Sequence, residues 1–131
     1  MRVDWEAASK AGDAASLLAQ IAAGADVDAL DRYGQSALML AAVRGHLAAV
    51  RALVEAGAAL DTTAKHGLSA TMLAVVNHHA EVARTLAEAG ADLRLIGTGA
   101  PGFAGKCAAD LASDSGQTDL ARTLSATRPT V

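Results

Sequence analysis

The chain has 131 residues, room for one ordinary domain, and carries 11 Lys plus Arg against 14 Asp plus Glu, for a net charge of −3. Ala supplies 34 residues against 28 Leu, Ile, Val or Phe, with 2% aromatics, so the interior must be built from small side chains, which suits stacked helices better than a sheet over a bulky core. The acidic balance argues against a nucleic-acid or anionic-membrane binder, and the longest uncharged apolar run, Ala37 to Val43, is seven residues, far short of the ~20 needed to span a bilayer.

Asp4 and Glu6 follow Arg2 at once, a poor start for a secretory signal, so a cytoplasmic location is expected. Cys107 is the only cysteine, which excludes an internal disulfide and any zinc site needing two thiolates. The Ala richness and the opening Met1 suggest a high-GC bacterial source.

Along the chain, Ala-Ala-Gly-Ala-Asp-Val-Asp (22–28) returns as Glu-Ala-Gly-Ala-Ala-Leu-Asp (55–61) and Glu-Ala-Gly-Ala-Asp-Leu-Arg (88–94), placing Gly24, Gly57 and Gly90 at intervals of 33. Gly34 and Gly67 lead a second pair of strings, Gly-Gln-Ser-Ala-Leu-Met-Leu-Ala-Ala (34–42) and Gly-Leu-Ser-Ala-Thr-Met-Leu-Ala-Val (67–75), at the same interval of 33. Within a unit, Ser36 or Ser69 is placed to cap a short helix carrying Leu38, Leu40, Ala41 and Ala42, or Met72, Leu73 and Val75. Arg44-Gly45 and Asn77-His78 break that helix. A second helix then carries Leu47, Val50, Leu53 and Val54, or Val82 and Leu86, on one face, and stops at Gly57 or Gly90. No unit can bury its own stripe, so the units must stack.

Further along, Gly67 to Gly105 is 38 residues, five more than the period. The surplus falls in Ile96-Gly-Thr-Gly-Ala-Pro-Gly-Phe-Ala-Gly (96–105), which reads as an extended, mobile Gly-rich loop.

Residues 31–58, Asp-Arg-Tyr-Gly-Gln-Ser-Ala-Leu-Met-Leu-Ala-Ala-Val-Arg-Gly-His-Leu-Ala-Ala-Val-Arg-Ala-Leu-Val-Glu-Ala-Gly-Ala, resemble the ankyrin repeat pattern D-x-x-G-x-T-P-L-H-L-A-A-x-x-G-H-x-x-x-V-x-x-L-L-x-x-G-A, with Ser36, Ala37 and Met39 departing from it. The next copy has Ala64 for the leading Asp and His78-His79 for Gly-His. A first copy without its hairpin fits Asp4 to Asp28, with Trp5 at a core Leu position. A fourth fits Gly102 to Leu124 through Gly105-Lys-Cys-Ala-Ala-Asp-Leu-Ala and Ser115-Gly-Gln. The resemblance implies an all-α ankyrin-repeat solenoid of about four helix-turn-helix repeats with short β-hairpin-like turns. Its repeats would span 1–30, 31–63, 64–96 and 102–126 in one domain, 1–126, the outer two acting as caps and 127–131 forming a frayed tail.

Chemistry is harder to find. A phosphate loop of the form G-x-x-x-x-G-K-[ST] fails around Gly105-Lys106, since Ala100 stands where the first Gly belongs and Cys107 replaces the hydroxyl. His46, His66, His78 and His79 lack a spacing that would converge three ligands, and no cofactor or metal is expected. His46 and His79 instead suit structural or solvent roles, His46 resembling a ring that bonds the backbone of a neighbouring hairpin. Cys107, at a helix start after Lys106, suits a buried small side chain better than a reactive thiol. No triad or carboxylate pair is signalled, so the chain is expected not to be an enzyme.

The resemblance further implies protein binding through hairpin tips and a concave first-helix face. Carried over by position, the candidate residues are Arg32, Tyr33, Gln35, Val43 and Arg44; Lys65, His66, Leu68, Val76 and Asn77; and Phe103, Lys106, Asp114 and Ser115. Tyr33 and Phe103 are the expected anchors. The alternative is that Phe103 folds back onto its loop and Tyr33 covers a neighbouring repeat. Arg32, Arg44, Lys65, His66 and Lys106 make this set basic, so the partner is expected to be a protein with an acidic or mixed patch. A monomer is expected. The rivals are self-association through the weakly charged second helix of the fourth repeat, or a small ligand at the Gly-rich loop.

Overall fold

The computed structural model describes residues 1–99 and 101–126; the frayed tail expected at 127–131, and Ala100 within the insertion, lie outside them. Ser36 and Ser69 open helices as their positions predict, each hydroxyl accepting the backbone N–H three residues on, from Met39 and Met72 at 3.3 Å. Eight α-helices result among the described residues, with no extended strand. The first helices of the four pairs are α1 (Val3–Ala11), α3 (Ala37–Arg44), α5 (Ala70–Val76) and α7 (Ala108–Asp114). The second helices are α2 (Ala14–Ala22), α4 (Leu47–Glu55), α6 (Ala80–Glu88) and α8 (Thr118–Ala126). First helices pack on first helices in the order α1, α3, α5, α7, and second helices likewise, giving the two-layer repeat that the 33-residue period implies.

Between the layers lie Leu17, Leu38, Met39, Val50, Leu53, Met72, Val75, Val82, Leu86 and Leu124, with Trp5 at the start of the stack where its position had suggested core. The abundant alanines do their packing at helix contacts: Ala37, Ala41, Ala42, Ala49, Ala74, Ala83 and Ala112 are fully buried, and only such small side chains let neighbouring short helices approach closely.

The turn inside each pair depends on a left-handed residue, Gly12, Gly45, His78 and Gly116 in the four copies, at φ 72°, 75°, 62° and 78°. The residue that follows reaches back to the preceding repeat. His46 Nε2–H donates to the Lys10 carbonyl at 2.9 Å, His79 Nε2–H to the Val43 carbonyl at 3.1 Å, and Gln117 Nε2–H to the Val75 carbonyl at 2.9 Å. The acceptor of His46 is therefore the last turn of α1 rather than a hairpin. Each imidazole also lies close against the glycine of the preceding turn: a Cβ built on Gly12 would sit 2.4 Å from His46 Cγ, and one on Gly45 2.4 Å from His79 Nδ1. Where His78 replaces that glycine, the turn closes in the same conformation, and Gln117 rather than a histidine reaches back across the next interface, to the Val75 carbonyl.

A second ladder joins the far ends of the pairs. Asp28 Oδ1 accepts the Ala59 N–H at 2.8 Å and Asp61 Oδ1 accepts the Asp92 N–H at 2.7 Å. One period further, Arg94 stands where an aspartate would, and it binds Asp92 through its backbone N–H and its guanidinium. Those two hydrogen bonds hold the Asp92 carboxyl below its ordinary value, the guanidinium contributing most.

The two ends of the stack differ from its middle. On the outer flank of the first repeat Asp4, Ala7, Ser16 and Gln20 take the places that Ala37, Leu40, Ala49 and Leu53 hold one period later, and Gln20 Nε2 donates to the Asp4 carbonyl and to Ser16 Oγ. On α8, Asp119 and Arg122 are exposed and paired at 3.8 Å. The second helix without any charged side chain is α2, not that of the fourth repeat, and it exposes Leu18.

Candidate functional site

Each repeat after the first presents a finger, the turn that precedes its first helix. In the first finger the Asp31 carboxylate organises the backbone: Oδ1 accepts the N–H groups of Tyr33 and Gln35 at 2.9 Å each, while the Asp31 N–H donates to the Gln35 carbonyl. Gly34 supplies φ 76°, and Leu30 and Ser36 pair across the base as an isolated bridge. The backbone of Gln35 is thus consumed in the turn, and Arg32 and Tyr33 are thrown outward. Tyr33 is 70% exposed, with the Arg32 guanidinium carbon 5.9 Å from its ring centroid.

The second finger has Ala64 in place of the organising aspartate and closes by another device. Lys65–Gly67 form one 3-10 turn in which His66 adopts φ 64°. Thr98 N–H donates to the His66 carbonyl at 2.7 Å, so the insertion holds the finger from the next repeat. Lys65 is exposed and His66 half-buried. Leu68 is 6% exposed and packs into the core, so its side chain is not offered to a partner; the hairpin register had placed it among the contact positions.

The insertion itself is not extended. Gly97 pairs with Ala104, Gly97 N–H donates to the Lys106 carbonyl at 2.9 Å, and Gly105 N–H donates to the Gly97 carbonyl at 3.0 Å. Phe103 folds over Gly97, where a Cβ would come within 2.8 Å of the Phe103 Cβ, and its ring stands 5.8 Å from that of His66, tilted by 40°. This is the alternative raised for Phe103: its ring ties the loop to the second finger. With Lys106 N–H bonded to the Phe103 carbonyl, four amides of the loop region have acceptors inside the protein, and Lys106 Nζ bonds Asp114 Oδ2. A phosphate cradle needs such amides and such a lysine turned to a common centre, and here they are turned to protein.

On the first helices, Val43 and Val76 are half-buried. Arg44 is exposed, its Nη1 3.4 Å from the Leu40 carbonyl, and Asn77 caps α5 by donating to the Leu73 carbonyl at 2.8 Å. Ser115 Oγ donates to the Leu111 carbonyl at 2.9 Å, which leaves Asp114 and Ser115 as the polar end of α7. Cys107 is buried at the N-cap of α7, its N–H and Sγ both directed at Asp110 Oδ2, at 3.1 and 3.3 Å. Among the described residues no three His, Cys, Asp or Glu side chains converge on a point, and no helix is long and apolar enough to cross a membrane.

Charge is distributed unevenly over these surfaces. Lys10, Arg84, Arg94, Lys106 and Arg122 each pair with a carboxylate. No ion pair among the described residues engages Arg2, Arg32, Arg44, Arg51 or Lys65, and of these Arg32 and Lys65 lie on fingers and Arg44 at the end of α3.

Helix pairs stacked in two layers, held by backbone-directed polar ladders and bearing a finger before each first helix after α1, define an all-helical repeat solenoid. The family model for ankyrin repeats, three copies, matches residues 5–97, and the chain belongs to the ankyrin repeat family. Helices α7 and α8 lie beyond the matched residues and continue the same pairing. Among curated proteins no match to the chain is found. Ankyrin repeats are generally protein–protein interaction modules and typically non-enzymatic.

Proposed function

We propose that the chain is a non-enzymatic adaptor, one domain over 1–126, that holds a protein partner on its fingers and first-helix face through a patch that is acidic or mixed. The observation that carries this reading is that three of the five described Lys and Arg side chains outside any ion pair, Arg32, Arg44 and Lys65, lie on fingers and at the end of α3, the other two being Arg2 and Arg51, in a chain whose net charge is −3. Tyr33, exposed beside Arg32, supplies the aromatic contact that such surfaces use. Gln35, Val43, Val76, Asn77, Asp114 and Ser115 complete the face as rim contacts, and Phe103, His66 and Lys106 fix its far end. The test is affinity capture from the source organism with the wild-type chain and with the Arg32→Glu, Arg44→Glu, Lys65→Glu triple variant. Partners retained by the first and lost by the second support the reading, and equal retention refutes it.

A second reading, self-association, is favoured by the charge-free helix α2 with Leu18 half exposed. Light scattering of the wild type and of Leu18→Lys decides it: a dimer that the lysine dissolves supports this reading, and a monomer in both cases removes it.

A further inference from the structure

We propose that Phe103 and Thr98 are positioning residues for the second finger, which lacks the means to hold its own turn and takes its form from the insertion. The proposal concerns the form of the finger and stands apart from whether a partner is held there. The two fingers share one backbone plan. In the first, Asp31 N–H donates to the Gln35 carbonyl at 2.8 Å and Gly34 N–H to the Asp31 carbonyl at 3.1 Å. In the second, Ala64 N–H donates to the Leu68 carbonyl and Gly67 N–H to the Ala64 carbonyl, both at 3.0 Å.

What differs is the organiser. In the first finger one carboxylate oxygen, Asp31 Oδ1, gathers the Tyr33 and Gln35 amides, and Gly34 is the only left-handed residue. In the second, Ala64 stands in the aspartate's place, and no side-chain oxygen among the described residues accepts the amide of His66 or Leu68, the counterparts of Tyr33 and Gln35. His66 then joins Gly67 in the left-handed region, at φ 64° and 69°. That region is unfavourable for an L side chain, and such strain persists only where the surroundings hold it.

The surroundings come from the insertion. Thr98 N–H donates to the His66 carbonyl at 2.7 Å. Residues 96–99 lie so near the finger that a Cβ on Gly67 would sit 3.2 Å from the Ile96 carbonyl oxygen, and one on Gly99 3.1 Å from His66 Nδ1. The Phe103 ring stands 5.8 Å from that of His66, while Phe103 itself is folded over Gly97, next to Thr98. One residue therefore bears both on the finger and on the segment that bonds it. Gly97 is tied in turn to Gly105 and Lys106, which lead into α7. The insertion does for the second finger what one carboxylate does for the first, with the difference that the first finger is self-supporting and the second depends on the next repeat.

The experiment follows amide hydrogen exchange by NMR in the ¹⁵N-labelled full chain and in Phe103→Ala, Phe103→Tyr and the double variant Ala64→Asp, Phe103→Ala. In Phe103→Ala the amides of Ala64, Gly67 and Thr98 should exchange about tenfold faster or more, while those of Asp31 and Gly34 and of α7 and α8 keep their rates. Phe103→Tyr retains the ring and should retain the wild-type rates. In the double variant the new carboxylate offers an acceptor to the amides of residues 66 and 68, so residues 64 and 67 should return to slow exchange while Thr98 stays fast. A merely structural role for Phe103 would move all three amides together. Three results overturn the proposal: unchanged rates at residues 64 and 67 in Phe103→Ala; faster exchange throughout α7 and α8 as well, which assigns Phe103 to the folding of the fourth repeat; or a double variant in which residues 64 and 67 exchange as fast as in Phe103→Ala.

Discussion

Replacing Gly45 by Ala should damage the stack in two separable ways. The backbone at φ 75° strains any L side chain, a cost of about 1–2 kcal/mol. The new Cβ would also stand 2.4 Å from His79 Nδ1, forcing the imidazole off the Val43 carbonyl and forfeiting a hydrogen bond of about 0.5–1.5 kcal/mol. Gly57 offers the control, because its φ is 85° but nothing lies within 4 Å of its would-be Cβ. Gly57→Ala should therefore show the strain alone, and Gly45→Ala should exceed it by about 1–2 kcal/mol. Urea unfolding followed by circular dichroism measures both. The decisive comparison is the double variant Gly45→Ala, His79→Ala: with the ring gone the clash vanishes, so the two losses should fall short of additivity by about 1 kcal/mol. Equal losses at Gly45 and Gly57, or strict additivity of the pair, would refute the claim that each imidazole is seated on the glycine of the preceding turn.

Three further outcomes follow from the same geometry. Gln117→His should destabilise the chain on its own, because His78 fills the space a ring would need, and should be rescued by His78→Gly, which restores the glycine and imidazole pairing of the earlier turns; thermal melts of the three variants check this. Leu53→Ala, at a fully buried position, should cost about 2–5 kcal/mol, against a change within about 0.5 kcal/mol for the exposed Arg51→Ala, both read from urea midpoints. The Asp92 carboxyl should titrate below its ordinary value by NMR and return toward it in Arg94→Ala; since its charged form is the one stabilised in the folded chain, its link to Arg94 is present at neutral pH and is lost as the pH falls through the lowered value.

The period, the helix caps and the left-handed turns were legible because each is a local requirement with a residue type attached. Ser36 caps whatever helix follows it, and Gly45 marks a turn in any repeat. Leu68 was misread because register assigns a position to a finger but not the direction of its side chain, and here, in extended backbone just after the 3-10 turn at Lys65–Gly67, that side chain packs into the core. Phe103 stayed open between two readings since its placement depends on a loop closing onto Gly97 and His66, contacts that no periodicity encodes. The role of Gln117 was missed altogether. The available signal was compensation: the copy with His78 for glycine is followed by the copy with Gln117 for histidine, and the two changes answer each other across one interface.

The ladder that runs through His46, His79 and Gln117 always ends on a main-chain carbonyl. Every residue type carries that acceptor, so a repeat whose predecessor closes its turn with glycine asks of it only a helix end and a thin turn. Copies with that glycine can be duplicated or exchanged in a gene and still find their bonds, whereas the copy that carries His78 is tied to a successor with Gln117. The finger residues, excluded from the ladder, are left to diverge one copy at a time.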